Sequence, residues 1–152
     1  MDEIGRNKPL DFAQRTMKNL EFVYTARQSG EDVHEVTQLM NSTLGLIVFV
    51  DETKVIDSTS PLTWDQARSM YGLMIREWTA KQQTLSNLLH RLRNAIAHRH
   101  VHFSSDSRSW KDVIIRFWDI DPKTGKRVFE ASIKGDHLKG FCDKIVELAQ
   151  YE

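Results

Sequence analysis

Apolar residues recur along most of this chain at helical spacing and give way to alternation in its last third. Phe12, Thr16, Leu20, Val23 and Tyr24 share one helical face, which predicts a helix over 11–28 after a polar, irregular start of nine residues. Ser29-Gly30 ends it, glycine being suited to the left-handed cap. A second helix opens at Glu31 or Asp32 and runs to about Val50 on the stripe Val33, Val36, Thr37, Met40, Leu44, Ile47 and Val48. The run Leu44 to Val50 reads equally as a buried strand, but the stripe continues through it in phase, so helix is preferred. After a polar connector, Thr63-Trp64-Asp65-Gln66 has the form of a capping box. Ala67, Met70, Tyr71, Met74, Ile75 and Trp78 then carry a third helix to about Trp78. Thr79-Ala80-Lys81-Gln82 repeats the capping pattern and marks a break.

The next helix, Leu85 to His98, organises the rest. Leu85, Leu88, Leu89, Leu92, Ala95 and Ile96 form its inner stripe, and at about 100° per residue Asn87, Arg91, Asn94 and His98 align on the opposite side. Beyond His98 the period becomes alternating, with His98, His100 and His102 on every second residue. Trp110–Ile120 and Arg127–Ile133 are rich in β-branched and aromatic residues around the turn Asp121-Pro122-Lys123-Thr124-Gly125-Lys126, which predicts a β-hairpin. Two strands alone are marginal in water, so the face Ile114, Trp118 and Ile120 is expected to pack on the helices or on a partner. Asp136 caps a last helix with Leu138, Phe141, Cys142, Ile145, Leu148 and Ala149 inward. The expected fold class is mostly α: a bundle of about five helices with one β-hairpin before the last helix, in a single domain spanning 1–152.

Charge sharpens the picture around the fourth helix. No aspartate or glutamate occurs between Trp78 and Ser105, while Lys81, Arg91, Arg93 and Arg99 stand beside four of the six histidines. Exposed helices normally mix signs, so this stretch predicts a local positive field suited to phosphate. The plain alternative keeps Arg93 and Asn94 as helix-end polar groups and His98 as a C-terminal cap favoured by the helix dipole. Histidines 98, 100 and 102 on one strand face also have a zinc-like spacing, but no cysteine cluster or nearby carboxylate completes such a site. No metal and no cofactor is expected.

Arg93-Asn94-Ala95-Ile96-Ala97-His98 resembles the arginine, polar residue, spacer, histidine signature of the HEPN superfamily of helical domains. The likeness extends to the Asn41–Phe49 stretch upstream and to the hairpin and final helix downstream, nearly the whole chain. The resemblance implies a metal-independent endoribonuclease, acting as a homodimer whose motif helices meet at a shared cleft, with Arg93, Asn94 and His98 catalytic. Such domains occur as toxins of toxin–antitoxin or phage-defence pairs, which would add an antitoxin protein as partner. RNA cleavage without metal needs an acid and a base near neutrality, the chemistry of imidazole, and a planar cation for the phosphate. Arg91, Arg99 and His100 are the candidate RNA contacts. Periodicity alone favours Arg91, about 20° from His98 on a helical wheel, over Arg93 at about 140°; the family pattern favours Arg93. The second histidine is left open between a partner's His98 and His100. Other readings are a non-catalytic nucleotide- or RNA-binding module and a protein-interaction domain.

Length and composition narrow the class without naming it. A chain of 152 residues with formal net charge zero holds one real core and argues against general coating of nucleic acid. The single cysteine, Cys142, falls in an apolar stripe and reads as a buried thiol in a reducing compartment. Met1 to Pro9 lacks the apolar core of a signal peptide, and Leu44 to Val50 is far short of the roughly 20 residues of a membrane span. The expectation is a cytoplasmic protein without membrane contact.

Overall fold

The computed structural model describes residues 3–53, 56, 60–79, 81–107 and 109–149. Among these the chain forms helices α1 (Glu3–Gln28), α2 (Glu35–Thr53), α3 (Trp64–Tyr71), α4 (Leu85–Ala97) and α5 (Gly135–Ala149). Strands β1 (Met74–Glu77), β2 (Val101–Phe103), β3 (Ile114–Ile120) and β4 (Arg127–Lys134) make one antiparallel sheet in the order β1-β4-β3-β2. The fold is therefore α+β, which corrects the expectation of a mostly α bundle with a lone hairpin. The physical reason lies at the hairpin's edges. An isolated β3–β4 pair leaves both edges unpaired; β1 completes one and β2 the other.

β1 was hidden by a helical stripe that continues in phase through it. Gly72 stops α3, adopting the left-handed φ of 63° and donating its N–H to the Arg68 carbonyl. Past that point Ile75 is buried while Met74 and Trp78, its supposed companions, are exposed. The capping box at Thr63 and Gln66 forms as its sequence indicates, with both reciprocal hydrogen bonds present. The start of α4 is capped by Thr84, which accepts from the Asn87 N–H, rather than by Thr79.

Three further corrections are of phase and extent. Residues 3–9, expected as an irregular start, belong to α1. α2 is helical through Leu44–Val50 as read, but it buries Leu39, Thr43, Leu46, Ile47 and Val50, while Leu44 is exposed. In β3 the inward face is Ile115, Phe117 and Asp119, so Ile114, Trp118 and Ile120 are not the side that packs on the helices. α4 lies on β3, α2 on α4, and α1 against α2 and α5, which leaves the other face of the sheet open.

β4 passes into α5 through Gly135, whose N–H donates to the Val113 carbonyl. A Cβ there would come within 2.2 Å of the Trp110 carbonyl oxygen, so only glycine fits this join. On α5, Cys142 is fully buried with its Sγ 3.4 Å from Thr43 Oγ1, and burial pushes the thiol up to about 12. Among the described residues no helix is long and apolar enough to cross a membrane.

Candidate functional site

The leucine seam of α4 forms as its spacing indicates: Leu85, Leu88, Leu89, Leu92 and Ala95 are buried. That seam turns Arg91, Asn94 and His98 toward the end of the sheet. There they line one open concavity with Thr79, Asp119 and Asp121. Helical periodicity groups these three side chains with Asn87; the structure brings the three together and leaves Asn87 at the start of α4, where its N–H donates to Thr84 Oγ1 and its Nδ2 to the Gln82 carbonyl.

They are not equivalent. Arg91 is buried, its Nη1 donating to Asp119 Oδ2 at 2.8 Å and its Nη2 to Glu77 Oε1 at 2.6 Å. Nη2 also reaches Thr79 Oγ1 at 3.2 Å, and the Thr79 hydroxyl donates in turn to Glu77 Oε1. Glu77 and Asp119 both stand opposite Phe129 of β4, one on each side, so the guanidinium bridges two carboxylates that are two strands apart. Burial pulls the Arg91 pKa down, and the hydrogen bonds to Glu77 and Asp119 push it up by more, leaving it above the ordinary arginine value.

Asp119 Oδ2 also accepts from Asn94 Nδ2 at 3.4 Å, and Asn94 Oδ1 accepts from Arg93 Nη1 at 3.3 Å. Arg91, Asp119, Asn94 and Arg93 thus form one chain of contacts that leads from the buried pair to the half-buried motif arginine. Arg93 itself is not among the residues lining the concavity. His98 is exposed at the C-cap of α4.

A tight turn then reverses the chain. The Arg99 N–H donates to the Ile96 carbonyl and the His100 N–H to Ala95, with Arg99 in the left-handed region at φ 62°. This is a Schellman motif with an arginine where glycine is favoured. Arg99 is the one non-glycine residue of positive φ among those described. The turn delivers His100 onto Trp118: the two rings stack with centroids 5.5 Å apart and 17° between planes, and His98 lies 6.0 Å from His100. The Arg127 guanidinium sits 4.7 Å from the Trp118 centroid.

The acid-free stretch of sequence is not acid-free in space. Glu77 and Asp119 come to Arg91 from β1 and β3, and Asp51 comes to within 3.2 Å of His90 from α2. Among the described residues no three His, Cys, Asp or Glu side chains stand together to hold a metal ion. His100 is stacked on Trp118, while His102 lies on β2 opposite Arg116.

Sequence reading missed Glu77, Thr79 and Asp119. A signal for Asp119 was present: it shares the inward phase of Ile115 and Phe117, and a carboxylate on a buried strand face requires a cationic or hydrogen-bonding partner.

A helix that ends in an exposed histidine, with asparagine and arginine one turn earlier, defines a polar end-of-helix site on an α+β domain. The family described as HEPN pEK499 p136 matches residues 1–151, and the chain belongs to it. No curated protein and no solved structure matches the chain.

Proposed function

We propose that this chain is a metal-independent endoribonuclease, acting as a homodimer in which Arg93, Asn94 and His98 of both copies line a shared cleft. The observation that carries this reading is the exposed His98 beside Asn94 in one concavity, within a chain of the HEPN family. The reaction needs no bound group. The RNA 2′-hydroxyl loses its proton to one imidazole and attacks the adjacent phosphorus, while a second imidazole protonates the leaving 5′-oxygen. One chain places one motif histidine in the concavity, and a second copy supplies the other. Arg93 meets the negative charge that builds on the phosphate. Asn94, held between Asp119 and Arg93, orients these groups. Arg99 and His100 extend the contact to RNA, and Arg91 acts through Asp119 as a positioning residue. In this reading the protein works in the cytoplasm as the toxin of a toxin–antitoxin or phage-defence pair, silenced by an antitoxin protein that covers His98.

A second reading, a non-catalytic RNA- or nucleotide-binding module, is favoured by the place of Arg93 outside the lining of the concavity that holds His98. Incubating pure protein with end-labelled RNA, with and without EDTA, separates the two. The expected result is chelator-resistant cleavage leaving 2′,3′-cyclic phosphate ends. Binding without cleavage supports the module, and activity lost in EDTA and restored by zinc overturns the metal-free mechanism.

The turn gives a sharper prediction. A left-handed residue other than glycine costs about 1–2 kcal/mol, partly offset in Arg99→Gly by glycine's greater freedom in the unfolded chain. Arg99→Gly is expected to raise stability by about 0.5–1 kcal/mol, read as a higher denaturation midpoint, while RNA cleavage falls. A variant that is both more stable and fully active removes Arg99 from the site.

A further inference from the structure

We infer that the open face of the sheet is a platform for single-stranded RNA, continuous with the end of α4. The inference deepens the ribonuclease reading and rests on it for the identity of the polyanion. The helices cover one face of the sheet, leaving Met74 and Ile114 of the other exposed. Register places Met74, Ser132, Arg116 and His102 in one row across β1, β4, β3 and β2, and Arg76, Glu130 and Trp118 in the next. Together with Arg127 they line a broad shallow concavity.

Its charge is one-sided. Arg76, Arg116 and Arg127 face a single carboxylate, Glu130, which is paired to Arg127 at 2.8 Å, in a chain whose net charge is zero. The positive charge that sequence placed around α4 is cancelled there at Arg91 and reappears, uncancelled at Arg76 and Arg116, on the sheet. Among the described residues neither of those two arginines makes an ion pair, and both are exposed.

The second component is flat π surface. Arg76 lies 5.3 Å from the half-exposed Trp78 ring, and Arg127 covers Trp118 at 4.7 Å with about half its own side chain open to solvent. Planar guanidinium and aromatic faces interleaved with positive charge suit unstacked bases and their phosphates, and not a rigid duplex. An acidic protein would use the charges and leave the half-exposed Trp78 ring and the solvent-facing Arg127 plane without a role.

Continuity with the proposed site fixes the path. His98, His100 and Trp118 form a ladder of rings from the helix end onto the sheet. A strand with one phosphodiester at His98 therefore runs its flanking nucleotides past His100 and Trp118 toward Arg116 and Arg76.

The test measures binding apart from cleavage, using a fluorescent single-stranded 2′-O-methyl oligoribonucleotide, whose blocked hydroxyl prevents the reaction. Wild type, Arg76→Ala/Arg116→Ala, Arg116→Glu and His98→Ala are titrated over a range of salt. Both arginine positions are exposed, so folded variants are expected, checked by circular dichroism. The double variant should bind at least tenfold more weakly, with a log–log salt slope shallower by about 1.4, as for two lost phosphate contacts on a single strand. Arg116→Glu should be weaker again, and His98→Ala, which removes one contact at the reacting phosphodiester, should weaken binding less than the double variant does. Equal binding by wild type and the double variant, tighter binding of duplex than of single strand, or no binding by wild type overturns the platform. If the double variant binds normally while His98→Ala loses cleavage of unmodified RNA, the platform falls and the ribonuclease stands. If the double variant loses binding and wild type never cleaves, the platform stands and the ribonuclease falls.

Discussion

Arg91→Ala is expected to destabilise the fold by about 3–5 kcal/mol, because it leaves two buried carboxylates without their counter-ion. The side chains of Glu77 and Asp119 are 4% and 9% exposed, so in the folded protein the guanidinium rather than water meets their charge. Nor is the site easily repaired from within: among the described residues Glu77 Oε2 has no hydrogen-bond partner even with Arg91 in place. Urea denaturation reads the effect as a lower midpoint at unchanged slope. A change below about 1 kcal/mol, the size of an exposed pair, would mean that the cluster is solvated in solution. Replacing the whole cluster, Arg91→Met with Glu77→Gln and Asp119→Asn, should recover part of the loss, since amides are cheaper to bury than unpaired charges. The same experiment separates two roles for Arg91. An arginine used mainly to hold RNA would cost binding and little stability when removed, whereas a strut costs stability first.

His98→Ala is expected to lower RNA cleavage by about 10²–10⁴-fold, the range of general acid–base catalysis, with the helical circular dichroism unchanged. Its side chain is exposed at the end of α4, outside the leucine seam, so the fold does not rest on it. The stronger test concerns the proposed dimer. If acid and base are the His98 side chains of opposite copies, a mixed pair has only one of them and is nearly inactive. Mixing wild type with His98→Ala under subunit exchange should then make activity fall as the square of the wild-type fraction. A linear fall from a verified exchanging dimer, or full activity from a monomer, overturns the shared cleft.

Where one side of an element is clearly apolar, sequence and structure agree. The seam of α4 and most inward positions of α5 were legible because a single period accounts for them, although Val146 is buried outside the expected stripe and Ala149 within it is only half-buried; the capping box at Thr63 was legible from its own four residues. β1 was not, since Ala67, Met70, Tyr71, Met74, Ile75 and Trp78 satisfy helical spacing across a glycine that ends the helix. The signal at Gly72 was local and the stripe was longer, yet the local one decided the structure. β3 failed differently. Its two faces, Ile114-Arg116-Trp118-Ile120 and Ile115-Phe117-Asp119, each carry apolar residues and one charge, so alternation cannot choose between them. What chooses is Arg91, a residue of α4 that pairs with Asp119 from below. The candidate site was legible as a face, Arg91 with Asn94 and His98, and as a motif, Arg93 to His98. The carboxylates that meet it come from strands distant in sequence, and a window free of acids along the chain says nothing of what folds against it.

The Arg91 bridge has a mechanical side. Glu77 ends β1, Asp119 stands near the end of β3, and both align with Phe129 on the strand between them. A single guanidinium therefore ties an edge strand, the strand two places in and the helix beneath into one brace, at the end of the sheet nearest the exposed histidine. Fraying of the edge at Glu77 would loosen Asp119, and with it the amide of Asn94, so this corner of the molecule opens as a unit rather than strand by strand. The rigidity of the asparagine and histidine at the helix end is then borrowed from β1, the short strand whose four residues resemble a continuation of a helix.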